Sequence, residues 1–192
     1  MANSDKPNGL TPIGTLSGSD YHGKMRPVAF AAGDAVAAYV GDLVKLTGTV
    51  DATGKIPVVA QSAAGDASIG VLVSLDFDAS DEGGLMTPLT RAASTARTGQ
   101  VVFGQDVLYK IQEDSDSNAI EITEAGLNCN IIVGTASNVT GSGMELDSTS
   151  AAGTSTLNVR LHHVFDSPDN VLGTNAQWVV SINASQEALN QT

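Results

Sequence analysis

Three histidines and one cysteine are the only imidazole and thiol groups in this 192-residue chain. His22 stands in a glycine-rich stretch, and His162 and His163 are neighbours within "LNVRLHHV". On a strand, adjacent side chains point to opposite faces, so these two do not readily share a metal ion. Surface or hydrogen-bonded roles are expected for all three. Cys129 lies between Asn128 and Asn130, ahead of "IIVG". A nucleophilic thiolate needs a histidine or a cation beside it, which the sequence does not suggest, so Cys129 reads as a small, partly buried strand residue. No G-x-S-x-G segment marks a serine nucleophile. The phosphate loops are missing too: "GSGMELD", residues 141–147, has glycines but no lysine.

Carboxylates remain. "DFDASDEGG" gathers Asp76, Asp78, Asp81 and Glu82 in residues 76–82, where their oxygens suit calcium. An EF-hand loop begun at Asp76 needs glycine at its sixth position and glutamate at its twelfth. The chain has Asp81 and Thr87 there. A solvated acidic turn is therefore expected, with an irregular calcium site as the alternative. Carboxylate pairs for glycoside hydrolysis lack the apolar, aromatic surroundings that raise an acid's pKa and grip a sugar. No catalytic residue, no cofactor-binding residue and no metal ligand is assigned, and the chain is not expected to be an enzyme.

The elements that would position such residues read as strands. Charged residues make up 16% and aromatics 4%, with abundant Gly, Ser and Thr, a balance of short strands and many turns. In "IGVLVSLDF" the residues Ile69, Val71, Val73, Leu75 and Phe77 fall on one face at period two. "DATGK", residues 51–55, suits a hairpin between "LVKLTGTV" and "IPVVAQ". "QVVFGQDVLYKI" gives either two strands or one strand bulged at Gly104. "TPLTRAASTARTG" fits a short helix or an extended run, "EDSDSN" a polar turn, and "AIEITEAG" and "CNIIVGTA" further strands. "LNVRLHHV" places Leu157, Val159 and Leu161 on one face. "AQWVVSIN" aligns Trp178, Val180 and Ile182, and is expected to be the core strand that closes the fold, since its lone tryptophan buries a large area in one place. The tail "ASQEALNQT" fits one helical turn or a frayed end. The expected fold is mainly β: an antiparallel β-barrel or sandwich spanning residues 28–192, with an extended N-terminal arm over residues 1–27.

That arm is rich in glycine and proline, which prevent a helix and interrupt a strand ladder. Leu10, Ile13 and Leu16 are spaced along it. A floppy terminus and a docking arm are both open, and the isolated apolar residues favour the arm. Deleting residues 1–20 is then expected to leave the domain folded.

Net charge is −12, so the chain is repelled by phosphate, and neither a nucleic-acid role nor docking on an anionic membrane is expected. The apolar stretch "VAFAAGDAVAAYV" is interrupted by Gly33 and Asp34 and is too short to span a bilayer. "MANSDKPNGL" lacks the positive start and apolar run of a signal peptide, and one cysteine makes no internal disulfide, so a reducing cytoplasm is the expected place of synthesis.

"STAR" (94–97), "YKIQEDS" (109–115), "GLNCNIIVG" (126–134), "TGSGMELDS" (140–148) and "PDNVLGTNAQWVVSIN" (168–183) occur in that order. Together with the opening "NGLTPIGTLSGSDYHGKMRPV", this resembles a family of tailed-bacteriophage virion structural proteins described as capsid decoration, cement or stabilising proteins. The resemblance covers most of the chain and is densest over residues 94–183, whereas residues 30–90 match by pattern only. It implies a protein made in the host bacterial cytoplasm and carried on the capsid exterior. There it binds the major capsid protein lattice and stabilises the mature head. Leu10, Ile13, Leu16 and Tyr21 become the candidate contacts of the arm with capsid or neighbour, by strand addition to an exposed edge. A homotrimer is expected first and a dimer second. "LNVRLHHV", with Arg160 or His162, either lines a subunit interface or is an ordinary exposed strand face. Two alternatives stand beside this: a minor virion protein of the tail or head–tail junction, and a calcium- or glycan-binding β-domain for host adhesion that would use the acidic loop and Trp178.

Overall fold

The computed structural model describes residues 3–77, 89–116 and 118–186. Among these described residues fourteen strands follow in chain order. They are β1 (Thr11–Thr15), β2 (Met25–Phe30), β3 (Ala38–Tyr39), β4 (Leu43–Val50), β5 (Pro57–Gln61), β6 (Gly70–Leu75) and β7 (Thr90–Arg91), then β8 (Arg97–Phe103), β9 (Val107–Gln112), β10 (Asn128–Cys129), β11 (Ile131–Val133), β12 (Met144–Leu146), β13 (Val159–Val164) and β14 (Gln177–Ile182). The fold is mainly β, as the turn-rich, aromatic-poor composition led us to expect. Among the described residues no helix is long and apolar enough to cross a membrane.

The strands form a closed barrel in the order β2-β5-β4-β6-β8 and an open five-stranded sheet in the order β1-β9-β14-β13-β10. Two ribbons, β11–β12 and β3–β7, complete the layout. All pairings between strands are antiparallel except β2 with β5.

Three barrel strands serve two cores. Val44, Leu72 and Val101 belong to the barrel core with Val28, Phe30 and Val59. Their chain neighbours Leu43, Val71 and Val102 pack with Trp178, Tyr109 and Ile111 in the second core, against the open sheet. Alternation along a strand sends consecutive side chains to opposite faces, so one apolar pair feeds both cores.

"DATGK" makes the expected hairpin. Asp51 Oδ1 accepts from the N–H of Lys55 (2.9 Å) and of Ile56 (2.8 Å), and Val50 pairs with Pro57. "QVVFGQDVLYKI" becomes two strands in different sheets. Gly104, at φ +121, turns the chain out of the barrel and into the open sheet, a conformation that side-chain-bearing residues resist.

Several expectations need correction. The face Ile69–Val71–Val73–Leu75–Phe77 does not hold: a register shift between Leu72 and Ser74 flips the strand. Val71 and Val73 pack with the open-sheet core, Ile69 and Leu75 with the barrel core, and Phe77 is 58% exposed. "AIEITEAG" holds no strand, but a single 3-10 turn at Ile122–Glu124. In "TPLTRAASTARTG" the described part is extended, as β7, a turn and the start of β8.

Trp178, Val180 and Ile182 are core residues, yet β14 does not close the barrel. It runs through the middle of the open sheet, between β9 and β13, and closure falls to the β2–β8 pair. The boundary expected at residue 27 lies inside β2. The preceding segment is integral to the fold, since β1 pairs with β9 and Leu10 is buried. Deleting residues 1–20 would remove an edge strand and a core side chain, so it is no test of docking alone.

Candidate functional site

The N-terminal segment is held along its length. The Asn3 amide donates to Val171 O (2.8 Å) and accepts from Val171 N (3.0 Å), and Lys6 N donates to Gln112 Oε1 (3.2 Å). Gly9, at φ +69, passes so close that a Cβ there would lie 2.5 Å from Gly41 O. Leu10 N then donates to Gly41 O at 2.9 Å, and its side chain enters the core.

The four arm residues therefore divide. Leu10 is 1% exposed and is spent on the chain's own core. Tyr21 is half-buried, packs against that core, and stacks on His22 with ring centroids 4.4 Å apart. Ile13 and Leu16 are 40% and 57% exposed. Ile13 sits where the β1–β9 register shifts between Pro12 and Gly14, and Leu16 follows the strand, anchored by its N–H on Asp106 O at 2.8 Å. Pro12 has no N–H and the shift distorts the strand, two features that blunt an edge against further strand addition. Strand addition has in effect taken place inside the molecule, where β1 is the strand added to β9. What β1 offers outward is its side chains. A groove of about 400 Å³ beside it is lined by Leu10, Pro12, Tyr21, Met25, Val73 and Leu89 among others.

The other candidates are settled by their surroundings. Burial pushes the Cys129 thiol up to about 12, and Sγ donates to Asp147 O (3.1 Å), which makes the group inert as a nucleophile. His162 and His163 each have a partner of their own. His162 Nε2 lies 2.9 Å from Ser181 Oγ, and His163 Nδ1 3.0 Å from Val164 O. His22 pairs with Asp20 on the surface. Trp178 is 1% exposed and has no free face for a sugar. Of the acidic loop, Asp76 accepts from the Thr98 hydroxyl, while Asp78, Asp81 and Glu82 lie outside the described residues. Among the described residues no three His, Cys, Asp or Glu side chains converge as metal ligands.

Two charged side chains with no exposure at all, Arg91 and Glu113, escaped the sequence reading. Arg91 is fully buried beneath the 31–36 loop, and its five N–H groups are matched by acceptors. Nε donates to Thr95 O (2.6 Å), Nη1 to Val36 O and Asp34 Oδ2 (3.3 Å), and Nη2 to Ala31 O (2.6 Å) and Asp34 O (3.1 Å). Glu113 is also fully buried, with Oε2 accepting from Ile120 N (3.1 Å) and Oε1 lacking a hydrogen-bond partner. Burial pushes its carboxyl up to about 7, with the charges of Asp114 and Asp116 adding to the effect. A signal for Glu113 was present: Val107, Tyr109 and Ile111 point inward at period two, and Glu113 is the next step of that face. Arg91 gave none, because its burial depends on a distant loop folding over it. No family model, curated protein or solved structure matches the chain.

Proposed function

We propose that this is a capsid decoration protein of a tailed bacteriophage, which binds the outer surface of the major capsid protein lattice and stabilises the mature head. The observation that supports the reading is the construction of β1: apolar side chains at Ile13 and Leu16 face solvent on a segment fixed by Leu10 beneath and β9 alongside. A segment ordered before binding loses little conformational entropy on docking, so two modest apolar contacts count for more. Repetition over the many sites of a shell reinforces each of them. Binding the expanded shell better than its precursor shifts the equilibrium toward the mature lattice. The acidic surface, at net charge −12, favours a protein surface over nucleic acid. A homotrimer is the proposed state, and light scattering on purified protein distinguishes it from a dimer.

The test uses Ile13→Asp/Leu16→Asp. The variant should keep the wild-type fold and melting temperature, yet cosediment with expanded capsids at least about tenfold more weakly, a loss of about 1.4 kcal/mol. Equal decoration by the variant removes the β1 contact from the reading, and failure of the wild-type protein to bind shells removes the reading itself.

A further inference from the structure

Beyond the proposed docking surface lies a group of carboxylates at the end of β9. Glu113, Asp114 and Asp116 follow that strand, Glu145 lies on β12 with Asp147 just after it, and Asp5 comes from the N-terminal segment. The two sides are tied by few bonds. Asp114 N donates to Leu146 O (3.0 Å), Ser148 N to Asp114 Oδ1 (3.3 Å), and the Ser148 hydroxyl to Asp116 Oδ1 (3.0 Å). Among the described residues no lysine, arginine or histidine forms an ion pair with any of these carboxylates. The charges facing Glu113 are Asp114 and Asp116, and those facing Glu145 are Asp5 and Asp114.

Two oxygens have nothing to bond. Glu113 Oε1 and Glu145 Oε1 are buried without a hydrogen-bond partner. The Trp178 indole faces the Glu113 carboxyl and offsets part of its burial cost, though its Nε1 makes no well-formed hydrogen bond. A buried carboxylate with an empty acceptor and like charges around it carries a large desolvation cost, which a proton removes. Behind this group the ribbon contributes Ile131, Met144 and Leu146 to the open-sheet core.

We propose that Glu113, which bridges to Leu146 of β12, is a proton-operated latch between the end of β9 and the β11–β12 ribbon, closed when it is neutral and loosened when it ionises. Burial pushes Glu113 up to about 7, and Glu145 on the other face of the ribbon and Asp114 are raised for the same reason. The sign follows from linkage. A carboxyl with a raised folded pKa binds its proton more tightly in the folded state, so stability is lost as pH rises from the ordinary carboxylate range through about 7. The ribbon should hold firmly near pH 5 and yield above neutrality.

The lone tryptophan provides the readout, since a neighbouring carboxyl changes indole emission when it ionises. In the full-length native protein, Trp178 emission should titrate with a midpoint near 7, and Glu113→Gln should abolish that transition. Thermal melts from pH 5 to pH 9 should show Tm falling with pH, and Glu113→Gln should remove a larger part of that fall than Glu145→Gln. Flat emission across the range, or Gln variants that keep the wild-type pH dependence, would overturn the latch. A rise in Tm on adding millimolar calcium at pH 8, abolished by Glu113→Gln, would also overturn it by replacing the proton with a cation. Should the variants fail to fold, carboxyl carbon NMR on the wild-type protein decides: a Glu113 midpoint near 7 supports the latch, and one near the ordinary 4.5 sinks it.

Discussion

Arg91 beside the barrel and Glu113 beside the open sheet are both fully buried charges, and their surroundings treat them in opposite ways. Beside the barrel, Arg91 meets an acceptor with every N–H and lies 5.5 Å above the Phe30 ring. Beside the open sheet, Glu113 keeps one oxygen empty among other acids. The cores differ in the same sense. The barrel has no edges, and a small core of Val, Leu, Ile and Ala with a single fully buried aromatic, Phe30, suffices. The sheet has two edges and gathers the large residues, Trp178, Tyr109 and Met144 among them. A closed element can be completed with small side chains. An open one depends on a few large residues and on whatever guards its rims.

The largest test of this contrast is Trp178→Ala, expected to cost about 3–5 kcal/mol because the sheet core is concentrated in one ring. A near-neutral result in urea unfolding would mean that the core is spread more evenly than the packing indicates. Arg91→Ala should cost a comparable amount, about 3–5 kcal/mol, since it strands Asp34 and the carbonyls of Ala31 and Val36. Unlike changes at Glu113, that loss should stay constant from pH 5 to pH 9. Val101→Ala and Val102→Ala remove the same atoms from opposite cores, and each should cost about 2 kcal/mol. Both should unfold in a single transition, because β4, β6 and β8 belong to both cores, and two separate transitions would break that coupling.

The pH profile is smaller and has two limbs. Above neutrality, ionisation of Glu113 and Glu145, each raised to about 7 by burial, removes stability. In acid the sign reverses. The Thr53 hydroxyl and the Ile56 N–H hold Asp51 down at about 2, so its contribution is present above the ordinary 3.8 and disappears as pH falls toward 2. Maximal Tm is therefore expected between about pH 4 and pH 6, measured by melts across the range. The smallest effect should come from Ile13→Asp/Leu16→Asp, within about 0.5 kcal/mol in stability, since exposed positions tolerate exchange.

Strand character was legible wherever local chemistry decided it. Asp51 announced its hairpin, and "QVVFGQDVLYKI" announced strand on both sides of Gly104. What could not be read was where a strand goes after it forms. The shift after Leu72 moves Leu75 to the other core without any change in residue type. Gly104 was visible as a break, but not that it separates two sheets. Trp178 was rightly placed in the core, and wrongly at the seam of a barrel, because pairing partners are set by distant chain. At the candidate site, apolar spacing nominated Leu10, Ile13, Leu16 and Tyr21 together. Only the turn at Gly9, which drives Leu10 inward, separates anchor from surface.

The position of β14 has a consequence for how the molecule is made. It is the last described strand of the chain, yet it lies between β9 and β13. At about 5–20 residues per second, the ribosome releases β9 many seconds before its inner neighbour exists. The barrel strands are complete by residue 103, so that half can close while the other waits with bare ladders. Nascent chains stalled before residue 177 should thus carry a finished barrel beside a sticky, unzipped flank, the species a chaperone would seize first.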